Sequence, residues 1–325
     1  MKKVGIIGGS GYVAGELIRL LVNHPKVEID FIYSHSQAAD EVSSVHDDLL
    51  SYTELQFTDQ FNPELDILFL CLGHGHSSAF LKEHQLAAHT KVIDLGNDFR
   101  LKKNASFQEK SFVYGLVEAN KQAIQAAQYV ANPGCFATAI QLALLPLAAA
   151  GELKNEVHIH ALTGATGAGR QPNETGHFSW RNNNISVYKA FAHQHLDEIH
   201  ETLSNLQSNF DRQLNFLPLR GDFTRGIFAT LYTYTDLSEE ELLALYEAYY
   251  SEVPFTLVST KGVHLKQVVN TNNCFLQVQK IDGKLLITSV IDNLLKGAAG
   301  QAVQNMNLMF GWEESTGLQL KASYF

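Results

Sequence analysis

The sequence predicts an α/β protein: a Rossmann-type parallel-sheet domain followed by an α+β domain with a mixed, largely antiparallel sheet. Three observations lead there. Short apolar strands alternate with amphipathic helices from Lys3 to about Ala131, a glycine-rich turn joins the first strand to the first helix, and the later half turns to period-two alternation. With 325 residues, 45% of them hydrophobic, the chain has enough apolar material for two cores.

The expected strands of the first domain are VGII (4–7), VEIDFIY (27–33), DILFLCL (66–72), KVIDL (91–95) and YVAN (129–132). The first helix carries Val13, Leu17, Leu20 and Leu21 on one face and must stop at His24-Pro25. Another is expected from about Ser77 to His89. After Cys135 a long apolar helix runs to Gly151, followed by a strand at VHIHAL (157–162) and a Gly/Asn-rich loop over 164–184. IFATLYTY (227–234) alternates at period two, Ser238 with Glu241 caps a helix, and Asp282-Gly283 turns a hairpin. A last helix from about Leu294 to Phe310 aligns Ala299, Ala302, Met306 and Met309. The expected boundaries are 1–134 for a cofactor domain, joined by the C-terminal segment 294–325, and 135–293 for a catalytic domain whose sheet suggests self-association.

Charge and composition narrow the function. The chain holds 34 acidic against 24 basic residues, a net charge of -10, with no basic run, so nucleic acid is not an expected partner. Its most apolar stretch, 137–150, is broken by Thr138, Gln141 and Pro146, so no membrane partner is expected either. Cys71, Cys135 and Cys274 are too scattered for a disulfide framework, which points to a reducing, cytoplasmic setting.

Gly8, Gly11, Ala14 and Gly15 spell G-x-x-G-x-x-A-G between strand and helix, the pattern of a pyrophosphate cradle. Contacts are expected from Gly8, Ser10, Gly11, Tyr12 and Val13, and from Gly73 in a second glycine-rich turn. The second strand ends Tyr33-Ser34-His35-Ser36-Gln37, without the carboxylate that takes a ribose 2′-hydroxyl. Ser34 and Ser36 can donate to a 2′-phosphate instead, so NADP is favoured over NAD.

In VANPGCFATA (130–139), Cys135 follows a Pro-Gly turn and opens a helix, whose positive end favours a thiolate nucleophile. The plain alternative, a buried apolar thiol, suits Cys71 and Cys274 better. HQHLDEI (193–199) supplies the acid-base candidate: His195 and Glu198 share a helical face, where the carboxylate can orient the imidazole. Cys71, His74 and His76, or His158 and His160, do not assemble a tetrahedral set, and no metal is expected. A cysteine hydrolase would need the thiol and imidazole but no cradle; a dinucleotide sensor would need the cradle but no thiol.

Taken together, GIIGGSGYVAGEL (5–17), DLGNDFRL (94–101), YGLVE (114–118), VANPGCFAT (130–138), TGATGAGR (163–170), HQHLDEI (193–199), TRGIFAT (224–230) and NLLKGAAGQAVQNMNLMFG (293–311) resemble the N-acetyl-gamma-glutamyl-phosphate reductase family of the semialdehyde dehydrogenase superfamily. The resemblance implies an NADPH-dependent reduction of an acyl phosphate through a Cys135 thioester, with His195 as acid and base, in a homodimer or homotetramer. It also implies cationic and polar substrate contacts in an acidic protein. Arg170 is the first choice for the phosphate or carboxylate, then Arg225 and Arg100, with Asn132, Thr163, Gly164 and His193 beside them. Two departures stand out. FLPLRGDFTRG (216–226) replaces the family's His-Leu-x-x-Pro stretch in what reads as a loop, and His35 stands where the family often has arginine. An acetyl and a succinyl group on the glutamyl nitrogen differ mainly in a terminal carboxylate, for which Arg220 is a candidate, and within the superfamily aspartate-semialdehyde dehydrogenase is the nearest competing function.

Overall fold

A computed structural model describes residues 1–73 and 75–325 and divides the chain into two compact units, Met1–Pro133 with Ala298–Gln319, and Gly134–Gly297 with Leu320–Phe325. His74, weighed above as a metal ligand, lies outside the described residues.

The first unit is built on an eight-stranded sheet of β1 (Lys2–Ile7), β2 (Val27–Tyr33), β3 (Phe57–Thr58), β4 (Ile67–Leu70), β5 (Lys91–Asp94), β6 (Ser106–Phe107), β7 (Lys110–Tyr114) and β8 (Tyr129–Ala131), in the order β3-β2-β1-β4-β5-β8-β7-β6. All its pairs are parallel except β6 with β7. The central strands β4, β5 and β8 and the end of β1 are buried on both faces, as helices on a parallel sheet require. Helices α1 (Tyr12–Leu21), α2 (His76–Glu83) and α3 (Val117–Ala126) belong to this unit, and the last helix, Gly300–Met309, packs on α1, α3 and β5. That last helix is buried all round, so its polar side chains need partners: Asn305 Nδ2 donates to Gly115 O at 2.9 Å and to Asn132 Oδ1 at 3.0 Å.

The second unit opens with α4 (Cys135–Ala149), buried from Phe136 to Ala148. Pro146 has no N–H for the Leu142 carbonyl one turn back, and the Tyr250 hydroxyl donates to that carbonyl at 2.5 Å instead. Its sheet holds β9 (Val157–Thr163), β10 (Ser186–Val187), β11 (Leu214–Arg220), β12 (Ile227–Tyr234), β13 (Thr256–Ser259), β14 (Cys274–Ile281) and β15 (Lys284–Ile291), in the order β10-β11-β9-β12-β15-β14-β13. Only β11 with β9 and β13 with β14 run parallel. The β14–β15 hairpin turns through Asp282 and Gly283, both at positive φ. A short turn, α5 (Phe178–Arg181), and helices α6 (His195–Leu206) and α7 (Glu239–Tyr250) complete the unit; Ser238 and Glu241 cap α7 reciprocally.

Two expectations are corrected. The helix expected to reach His89 stops at Glu83, because His84 leaves helical geometry and stacks its ring on Phe80 at 4.1 Å. The supposed loop 216–226 begins as β11, where Leu214, Phe216 and Pro218 point inward opposite β9. The last helix runs nearly as expected, from Leu295 to Met309, but its first stretch, Leu295–Ala299, is widened to π geometry, with Gly297 N donating to Asp292 O at 2.9 Å. Among the described residues no helix is long and apolar enough to cross a membrane.

Candidate active site

In the first unit the glycine turn after β1 is shaped by contacts that exclude side chains. Gly8 has φ +81, and a Cβ there would stand 2.6 Å from Cys71 O. The Gly8 and Gly9 N–H groups both donate to Tyr33 O, at 3.0 and 3.1 Å, tying the turn to β2. Gly11 caps α1 without a side-chain bond, and a Cβ on it would enter open space, its nearest neighbour being Gly8 O at 4.0 Å. No acid stands in the first turn of α1. A bare helix start with room above it suits a pyrophosphate, so these residues fit a dinucleotide. Val13 is half-buried and Tyr12 41% exposed there; Ser10 precedes them.

Ser34 is buried at the end of β2, whereas His35 and Ser36 are exposed. Gly73 leads into α2, where a Cβ would meet only His76 Cδ2 at 3.4 Å. Two carboxylates fasten this second turn. Asp94 accepts from Ser77 Oγ at 2.6 Å and Gly96 N at 2.9 Å, and Asp98 accepts from Gly75 N at 2.7 Å and Ser78 N at 3.0 Å. Burial lifts the Asp94 carboxyl to about 6 despite those bonds.

A residue without a motif also shapes this glycine turn. His46, half-buried between β2 and β3, places Nε2 2.8 Å from Gly9 O, and its ring occupies the space a Gly15 Cβ would need, at 2.5 Å. Because a trans peptide is planar, holding the Gly9 carbonyl also fixes the Ser10 N–H, which points the opposite way.

In the second unit Cys135 is the first residue of α4. Two glycines bring neighbours to it. A Cβ on Gly297 would lie 2.7 Å from Cys135 Cβ, and one on Gly134 would collide with His195 Nε2. The imidazole therefore rests on the residue before the thiol. Glu198 Oε2 accepts from Gly134 N at 3.1 Å, while Oε1 lies 3.9 Å from His195 Nε2, beyond hydrogen-bond length. Glu198 so holds the backbone leading to Cys135 directly and stands within ion-pair distance of the imidazole. His193 stands edge-on to His195 with ring centres 4.6 Å apart, and its Nδ1 accepts from His195 N at 3.3 Å. Burial, aided by the Lys189 charge and opposed by Glu198, pushes His193 down to about 4. It is neutral at physiological pH.

The arginines differ in setting. Arg170 is exposed at the end of the glycine-rich loop. Arg225 pairs through Nε with the buried Asp292 at 2.7 Å, beside a loop in which Gly164 N donates to Gly226 O and a Gly164 Cβ would meet Arg225 N at 2.5 Å. Arg100, in the first unit, is buried and donates to the carbonyls of Asn132 and Leu95, at 2.9 and 3.1 Å. Asn132 itself donates to Ala298 O at 3.1 Å. The Thr163 carbonyl accepts from Arg181 Nη2 at 2.9 Å. Arg181, Tyr188 and His46 were not singled out from sequence; their contacts join segments far apart in the chain. Among the described residues there is no group of three metal-ligating side chains.

Residues 3–127 match the semialdehyde dehydrogenase NAD binding domain, and residues 135–293 the semialdehyde dehydrogenase dimerisation domain. Among solved structures, aspartate semialdehyde dehydrogenase II from Vibrio cholerae superposes with a TM-score of 0.74 at 16% identity, covering 96% of this chain and 98% of that one. A probable aspartate-semialdehyde dehydrogenase from Pseudomonas aeruginosa gives 0.71 at 17%, covering 95% and 98%. The protein is thus an oxidoreductase of the semialdehyde dehydrogenase class, with a nicotinamide cofactor. Within that class, N-acetyl-gamma-glutamyl-phosphate reductases from Flavobacterium johnsoniae and Christiangramia forsetii are 62% and 55% identical to it, each over the full length of both chains. That from Bacteroides thetaiotaomicron is 53% identical, again over the full length of both. The chain belongs to the N-acetyl-gamma-glutamyl-phosphate reductase family.

Proposed function

We propose that the protein reduces N-acetyl-gamma-glutamyl phosphate to N-acetyl-glutamate semialdehyde and phosphate, with NADPH, in arginine biosynthesis. The observation that carries the chemistry is the His195 ring resting on Gly134, beside a cysteine that opens a buried helix. The Cys135 thiolate attacks the acyl carbon, the C–O bond to phosphate breaks, and a thioester remains on Sγ. N–H groups at the start of α4 stabilise the developing oxyanion. Bound NADPH supplies the hydride that takes the thioester to a thiohemiacetal. His195 donates a proton to that alkoxide from Nε2, the nitrogen against Gly134, and takes it back as the C–S bond breaks and aldehyde leaves. Neutral His193 and the Glu198–Gly134 bond hold imidazole and backbone in place.

The same reading gives the N-terminal unit to NADP, through Gly8, Ser10, Gly11, Tyr12, Val13 and Gly73. Preference for NADP rests on the exposed Ser36 and His35 after β2, where a carboxylate would repel a 2′-phosphate. Arg170, Arg225 and Arg100 supply local positive charge for the substrate. The 135–293 region serves catalysis and assembly into a homodimer or homotetramer, and three cysteines outside any disulfide suit the cytoplasm. The test is phosphate-dependent reduction of NADP, and of NAD alongside, by N-acetyl-glutamate semialdehyde. Turnover faster with NADP is expected; no turnover with either cofactor rejects the assignment.

A further inference from the structure

Two guanidiniums flank one residue of the second unit. Arg220, the last residue of β11, stands opposite Thr163 of β9 in the ladder, and the Thr163 carbonyl accepts from Arg181 Nη2 at 2.9 Å. Arg220 lies over the Tyr188 ring at 4.1 Å and faces Trp180 at 6.0 Å. Arg181 is only 8% exposed, and its Nε is buried with no hydrogen-bond partner. Burial first, and then the Arg220 charge, hold Arg181 below its ordinary pKa; Tyr188 and Asp222 act the other way. Asp222 is exposed and accepts from Asn183 N at 2.7 Å. Two like charges, one buried, are costly unless an anion joins them.

The pair sits close to the chemistry. Burial, then the neighbouring Cys135, raises the Tyr188 hydroxyl pKa, so that hydroxyl remains a donor. The Tyr188 ring stands edge-on to His193 at 5.8 Å, and His193 contacts His195. Guanidinium forks and a phenol, one aromatic ring away from the acid-base histidine, match a carboxylate on the far end of the substrate, not the reacting acyl phosphate.

We propose that Arg181, Arg220 and the Tyr188 hydroxyl form a receptor for a substrate carboxylate remote from the reacting carbon; this rests on the reductase function above. The carboxylate comes either from the glutamyl α-carbon or from the end of a longer N-acyl group. Arg220→Gln is expected to raise KM for the semialdehyde about 10- to 100-fold with a smaller change in kcat, Arg220→Lys to recover part of it, and KM for NADP to stay constant. The α-carboxamide of N-acetyl-glutamate semialdehyde and the N-succinyl semialdehyde separate the two sources. If wild type suffers with the carboxamide and Arg220→Gln does not, the α-carboxylate is the ligand. If only the N-succinyl substrate loses affinity in the variant, the acyl carboxylate is. Equal KM for every substrate in wild type and variant overturns the receptor. Should wild type turn over neither semialdehyde, the reductase reading falls, and glutarate protection of Cys135 against iodoacetamide decides the receptor separately. Protection in wild type that Arg220→Gln abolishes supports it, and protection absent or equal in both overturns it.

Discussion

The imidazole of His195 lies directly on the Cα of Gly134, in the space a side chain there would fill. Gly134 has extended backbone that any residue can adopt, so its small size and not its flexibility matters. Gly134→Ala is expected to push the imidazole away and lower kcat by about 10²-fold, the penalty of a displaced catalytic group, with cofactor KM unchanged. Steady-state kinetics on both substrates checks this.

Gly297 makes the matching contact from the other side, its missing Cβ standing 2.7 Å from Cys135 Cβ. The wide turn over Leu295–Ala299 delivers it there. Gly297→Ala should destabilise the protein by about 1–3 kcal/mol, as overpacking does, and slow alkylation of Cys135 by iodoacetamide. Denaturant unfolding and alkylation rates measure the two effects.

His46 holds the Gly9 carbonyl, so His46→Ala should raise KM for NADPH about 5- to 10-fold, the cost of one hydrogen bond, with kcat nearly unchanged. Gln can place its Nε2 donor where the imidazole Nε2 stands, and His46→Gln should recover part of the loss. Equal KM values in all three proteins would show that the contact does not shape the cradle.

His193 gives a pH dependence of definite sign. Its folded pKa of about 4 lies below the ordinary 6.5, so between those values the unfolded chain binds more protons. Stability should therefore fall as pH drops from 6.5 toward 4. Asp94, raised to about 6, acts oppositely, adding stability on acidification from about 6 to below 4. His193→Gln should remove the acid-side loss and leave the Asp94 gain, visible as a melting temperature that declines less between pH 6.5 and 4.

The two sheets were legible because each follows a local rule. The ILFL stretch of β4 is a fully buried apolar run, Asp282-Gly283 supports a hairpin, and Ser238 with Glu241 forms a cap within four residues. β11 was hidden by Pro218, which argues against a strand; it is accommodated because β10 covers only Leu219 and Arg220. The helix over Gly297 was legible, but its π widening was not, since the demand for glycine comes from Cys135, far back in the chain. At the site, motifs marked Cys135 and His195, but the Arg181–Thr163–Arg220 arrangement depends on strand register, and His46 on a contact 37 residues away. Such contacts leave no local pattern.

The covalent step is tested most directly by withholding phosphate. Enzyme, NADP and N-acetyl-glutamate semialdehyde, mixed without phosphate and quenched in acid, should yield one NADPH per active site and an N-acetylglutamyl group on the peptide containing Cys135. Continuous turnover without phosphate, or an unmodified Cys135 after the burst, would contradict a thioester at that sulfur.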